Sequence, residues 1–193
     1  MSGRVNELLY NFAVWLDSHE LSTLLHESYY MYNWVESTHV LTLMLCLGML
    51  FLIDLRMMGL AFPNIPANSF ANKLNIPMLI GFSIMAFTGL WLFYAVPVRS
   101  TQSVWFRIKV FLLIAAAINA FLFHKNMINA TGSWATDIKA PKNLRIGATL
   151  SLLFWMSIVI CGRFIAYDWF DCEYTEPGLS QFLSGCIDGQ TVF

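Results

Sequence analysis

The chain has 193 residues, 58% of them apolar and 12% charged, with a formal charge of -1 and a mean hydropathy of +0.60. Soluble domains carry about twice that share of charge, and nucleic-acid binders need an excess of Lys and Arg that is absent here. Soluble, disordered and nucleic-acid-binding classes are excluded, and an integral membrane protein is left.

The first 30 residues carry one weak basic position, Arg4, a short apolar stretch broken by Asp17, and no small-residue cleavage site, so a signal peptide is not predicted. Val5, Leu8, Leu9, Phe12, Trp15 and Leu16 recur at helical spacing opposite Glu7, Asn11 and Asp17. That pattern predicts an amphipathic helix lying in the membrane interface, packed over the helix ends, or both.

A spanning helix needs about 20 predominantly apolar residues, and four stretches qualify: Tyr32–Met58, Leu74–Val98, Val104–His124 and Leu144–Tyr167. Unsatisfied backbone is not tolerated in lipid, and no period-two alternation suggests a barrel, so all four are read as helices. Pro63 and Pro66 mark the first connection and Pro97–Ser103 a tight turn. Met127–Asn143, with Gly132 and Pro141, is a loop long enough for a short surface helix. The predicted fold is all-α: a polytopic membrane four-helix bundle with an N-terminal amphipathic interfacial helix. It forms a single membrane domain over 1–193, with an interfacial segment at 1–30, four spans within 32–167 and an extramembrane tail at 168–193.

Four spans put both termini on one side. Lys73, Lys125, Lys139 and Lys142 lie in the loops of the other side, against Arg4 and Arg99 on the terminus side. The positive-inside rule then predicts cytoplasmic loops and periplasmic termini in a bacterial inner membrane. Cys172 and Cys186 in the tail read either as a disulfide, which a periplasmic tail permits, or as two free thiols. Cys46 and Cys161 read as packed apolar residues. Tyr29, Tyr30, Tyr32, Trp34, Tyr94, Trp105, Tyr167, Trp169 and Phe170 crowd the terminus side as an interfacial belt.

Ionisable residues inside a membrane are functional hypotheses by default. Glu36 and His39 share a helix face, and Arg107, Lys109 and Arg163 reach the same depth from the third and fourth spans. These five form the candidate ligand-binding site. Asp54, Arg56, His124 and Arg145 form a second, shallower polar cluster on the loop side. Structural ion pairing and snorkelling are the competing reading for both.

A helical bundle with histidines invites haem b, for which His39 is the candidate ligand. His124 lies at the opposite end of the span, on the order of 20 Å away, and cannot share its iron. Glu36-x-x-His39 has no second copy, so a di-iron site is not predicted. Phosphate loops, nucleophile elbows and Cys-x-x-Cys sites are also missing.

Val35-Glu36-Ser37-Thr38-His39, Gly48 and Asp54-Leu55-Arg56-Met57-Met58-Gly59-Leu60 open a set of motifs spread over all four spans. Phe87-Thr88-Gly89 with Leu92-Phe93, Phe106 to Lys109, Asn119-Ala120, His124, Ser151-Leu152, Trp155 and Gly162 to Tyr167 complete it. Over Trp34–Tyr167 the chain resembles an uncharacterised family of small bacterial four-helix integral membrane proteins, a domain of unknown function. The resemblance implies topology but no reaction. It implies that Glu36, His39, Asp54, Arg56, Lys109, His124 and Arg163 belong to the family's motifs. His19, His26 and the tail fall outside it.

The reading that follows is a non-enzymatic inner-membrane protein, a subunit or ligand-binding component of an oligomer or larger complex. Its site would take an anionic or quinone-like group near the periplasmic face. Its partners are the bilayer and other membrane subunits or itself, with no nucleic acid. Gly81, Met85 and Gly89 supply a small-residue helix-packing face. The alternative is a b-type haem electron-transfer protein. Transport is disfavoured, because Pro77 alone makes no discontinuous helix pair.

Overall fold

The computed structural model describes residues 3–129, 137, 139–167, 172 and 178–187. Its helices are α1 (Arg4–Asp17), α2 (Glu20–Glu27), α3 (Met31–Met58), α4 (Ala67–Ala95), α5 (Pro97–Thr101), α6 (Val104–Asn129), α7 (Lys142–Tyr167) and α8 (Leu179–Ser184). Four of them, α3, α4, α6 and α7, are long and apolar enough to cross a membrane. The chain is therefore an all-α, multi-pass membrane protein.

The second span begins earlier and ends earlier than its charge-free stretch, because α4 takes in Ala67–Asn72 and Lys73 and stops at Ala95. Pro66 sits just ahead of the first turn, where a missing N–H costs nothing, and Pro77 is carried inside the helix. The predicted turn at Pro97–Ser103 is instead largely the short helix α5, started by Pro97 in its first turn. Proline fixes the φ that a first helical turn needs, so a turn signal and a helix start look alike in sequence. The third span runs on through His124 to Asn129. The surface helix considered between Met127 and Asn143 falls mostly outside the described residues, as do Trp169 and Phe170.

Contacts divide the chain into two compact units. The first comprises residues 1–37, 87–110 and 159–193. Within it the N-terminal segment is two helices rather than one. Ser18 and His19 break it, with Ser18 Oγ donating to the Trp15 carbonyl at 2.7 Å and His19 Nδ1 lying 2.8 Å from the same oxygen. α1 packs on α5, burying Asn6 and Ala13 while Val5, Leu8, Phe12 and Trp15 stay exposed. The inward face is thus the small and polar one, and the apolar face is left open, as a helix at a lipid interface requires. Ser22 of α2 donates to the Tyr94 carbonyl at 2.8 Å, satisfying an acceptor at the end of α4. Trp105 stacks on Phe164 and Phe93 on Phe106, with centroids 4.5 and 5.4 Å apart. Cys172 and Cys186 form a disulfide. Cys46 and Cys161 are free and buried.

The second unit comprises residues 38–86 and 111–158. Four helices share its core: Ile53 and Met57 of α3, Ala67 of α4, Leu144 and Ala148 of α7, with Ala140 before α7 and Phe123 and Met127 of α6 packed against them. The i, i+4 pairs put each contribution on one helix face. A Cβ on Gly81 would run into the Cys46 sulfur, so α3 and α4 approach closely there. This part of the small-residue face is used within the chain. α3 ends at Gly59, whose φ of 76° suits glycine, while the Leu60 amide donates back to Leu55.

Candidate functional site

α6 opens with Arg107 in its first turn, and the first unit closes around that side chain. Its Nε donates to the Thr101 carbonyl at 2.9 Å and its Nη1 to Asn6 Oδ1 at 2.9 Å. Asn6 in turn donates from Nδ2 to the Phe182 carbonyl of α8 at 3.1 Å. The guanidinium also lies against Gly185, where an added Cβ would collide with it. Gly185 has φ +78°, so both the backbone conformation and the close approach call for glycine. Both oxygens bound by Arg107 are neutral, so its charge is oriented but not cancelled by them.

Beside this hub is a groove of about 410 Å³. Arg4, Asn6 and Arg107 supply its polar lining, and Val104, Ile108 and Phe182 its apolar part. The first turn of α1 borders it, adding backbone N–H groups that a helix leaves unsatisfied. The arrangement offers two guanidinium groups and a helix N-terminus next to apolar wall, which is chemistry for an anionic headgroup carrying an apolar chain.

Of the other predicted residues of this site, Lys109, Arg163 and Glu36 belong to the first unit and His39 to the second. Lys109 is half-buried, and a Cβ on Gly162 of α7 would stand 3.6 Å from its Nζ. Two positions along a helix are about 200° apart, so Arg107 and Lys109 cannot share a face. Arg163 is exposed, donating to the Tyr167 hydroxyl at 2.7 Å, with its guanidinium 4.8 Å from that ring. Glu36 is exposed on α3 and lies, with Arg99 of α5, in electrostatic reach of Tyr32. His39 is half-buried on α3 and belongs to the second unit. His19, His26 and His124 are exposed. Among the described residues no three His, Cys, Asp or Glu side chains are grouped to hold a metal ion.

The second cluster divides between inside and outside. His124 and Arg145 are exposed, whereas Asp54 and Arg56 are 5% and 1% exposed. Arg56 donates from Nε to the Ile65 carbonyl at 2.7 Å and from Nη2 to the Asp137 carbonyl at 3.0 Å. It fastens the α3–α4 connection and the segment before α7 to the end of α3, and the Ala140 amide adds a bond to the Met57 carbonyl. The hydroxyl of Ser151 on α7 is the side-chain polar group beside Asp54. One turn earlier, Asn119 of α6 donates to the Gly147 carbonyl at 3.0 Å.

Asn6, Thr101 and Gly185 carry much of the Arg107 arrangement and were not legible as site residues. A neutral amide 101 positions from Arg107, a backbone carbonyl 6 positions from it and a glycine in the tail have no sequence pattern that ties them to that cation. The signal available was Arg107 itself, an arginine placed at a span's first turn.

Residues 12–168 match a family described as a family of unknown function, DUF6644, and the chain belongs to it. The match begins well before Trp34, so His19 and His26 lie inside the family's extent rather than beyond it. No curated protein and no solved structure matches the chain.

Proposed function

We propose that this DUF6644 member is a non-enzymatic subunit or ligand-binding component of a membrane complex. Its ligand is an anionic amphiphile, seated with its headgroup at Arg107 and Arg4 and its chain along Val104, Ile108 and Phe182. The reading rests on one observation: an oriented guanidinium with neutral partners borders an apolar groove of about 410 Å³. A charge held this way has capacity for an anion, and the apolar wall selects one with a hydrophobic body. On the charge bias of the loops, the membrane is a bacterial inner membrane and the groove opens near the periplasmic face. Self-association or association with other subunits would be read from the native mass of the same preparation.

The test uses full-length protein in nanodiscs of phosphatidylcholine doped with phosphatidylglycerol. Native mass spectrometry should retain phosphatidylglycerol selectively, and Arg4→Gln together with Val104→Trp should remove the selectivity while the fold persists. Equal retention of both lipids by the unaltered protein would sink the reading. A Soret band in a haem-replete preparation, shifting on dithionite, would replace it with the haem one and make His39 the residue to mutate.

A further inference from the structure

Asp54 is an acid in a place built from apolar parts. It lies four residues before the end of α3, roughly 6 Å along the axis from the last helical residue. The residue is 5% exposed, and Oδ2 is inaccessible to solvent with no hydrogen-bond partner. Ile53 and Met57, its neighbours on α3, belong to the core of the second unit. The side-chain polar group beside it is the hydroxyl of Ser151 on α7.

The charged groups of the surrounding elements do not answer it. Arg56 on the same helix points about 200° away, and its guanidinium holds the Ile65 and Asp137 carbonyls. Lys73 of α4, His124 and Lys125 of α6, and Lys142 and Arg145 of α7 are all exposed, as are Asp137 and Lys139 in the segment before α7.

An ionised carboxylate here would hold Oδ2 out of water with no hydrogen-bond donor. Isolated buried ions neutralise rather than bear that cost. A neutral acid changes the account. One oxygen becomes an O–H that donates to Ser151 Oγ, and Oδ2 becomes a carbonyl oxygen, whose lack of a partner is much the smaller defect. We propose that Asp54 with Ser151 is a proton-binding site within the membrane-spanning helices of the second unit. Asp54 carries its proton as the resting state, and its nearness to the end of α3 lets that proton exchange with one side of the membrane. This site is independent of the Arg107 groove and stands whether or not that groove binds an amphiphile.

The test treats full-length protein in proteoliposomes with dicyclohexylcarbodiimide, an apolar reagent. It takes a carboxyl proton onto its nitrogen and the carboxyl oxygen onto its central carbon, then rearranges to a stable acylurea. Peptide mapping should place the adduct on Asp54, with yield falling about tenfold per pH unit once the acid ionises. Infrared spectra should carry a protonated-carboxyl C=O band that fades over the same pH range. Excess sodium at fixed pH should change neither. The proposal is overturned if the unaltered protein shows neither adduct at Asp54 nor that band at any pH. It is equally overturned if sodium protects Asp54, which would make the site one for a metal cation. Both readouts use the unaltered chain, so neither depends on an Asp54→Asn variant folding.

Discussion

Arg107 and Asn6 meet at 2.9 Å, Nη1 donating to Oδ1, although 101 positions separate them in the chain. The same Asn6 side chain donates to the Phe182 carbonyl, so one buried amide joins the N-terminal helix, the start of α6 and the tail helix. Asn6→Ala should lower stability by about 1–3 kcal/mol, because a half-buried guanidinium loses an acceptor and the Phe182 carbonyl loses its donor. Thermal unfolding of the detergent-solubilised protein, compared with an exposed control such as Asn11→Ala, measures the effect.

Gly185 is constrained twice, by φ +78° and by the guanidinium beside it. Gly185→Ala should cost about 1–2 kcal/mol for the backbone conformation alone, with displacement of Arg107 added. Limited proteolysis should then release the tail sooner in the variant than in the parent. Equal cleavage rates would show that the tail is not held by this contact.

The bonds from Arg56 to the Ile65 and Asp137 carbonyls make it a structural clamp at the end of α3. Arg56→Leu should destabilise the protein by about 3 kcal/mol, on the basis of two charge-assisted bonds lost at a residue that is 1% exposed. Arg56→Lys should recover only part of this, since an ammonium cannot reproduce the planar fork that reaches two carbonyls. Full recovery by lysine, in the same melting measurement, would assign the role to charge alone.

Cys172 and Cys186 close a loop with a sequence separation of 14. Opening a loop of that size costs about 3 kcal/mol in the chain-entropy account. Cys172→Ser with Cys186→Ser should therefore lower the melting temperature and abolish the mobility difference between reduced and unreduced gels. An unchanged melting temperature would separate the tail from the stability of the first unit.

Gly81 meets the Cys46 sulfur with no room for a Cβ. Gly81→Leu should destabilise by about 1–3 kcal/mol through overpacking, and Cys46→Ala in the same chain should relieve part of it. Purely additive effects would mean that the two positions do not share the contact.

Much of this was legible before any fold was known. Hydropathy located the four helices because each must bury its backbone polarity within itself, and that requirement is local. Hydropathy does not fix every boundary: Pro97, a turn signal in sequence, begins the helix α5, since the same fixed φ serves both. The apolar stripe of α1 was equally plain, yet its break at Ser18–His19 depends on side-chain bonds to one carbonyl, which composition does not encode.

The sequence by itself determined that this is a multi-pass membrane protein, where its long apolar helices lie and where along each helix every charge falls. Depth follows from position along a helix, and position is written in the chain. Which charges meet was decided only by the tertiary structure, because facing depends on how helices rotate and pack against one another. Arg107 and Lys109 share a depth and diverge, one toward Asn6 and α8, the other toward Gly162 of α7. Asp54 and Arg56 share a depth as well, yet one holds two distant carbonyls and the other is left with a serine and an unbonded oxygen.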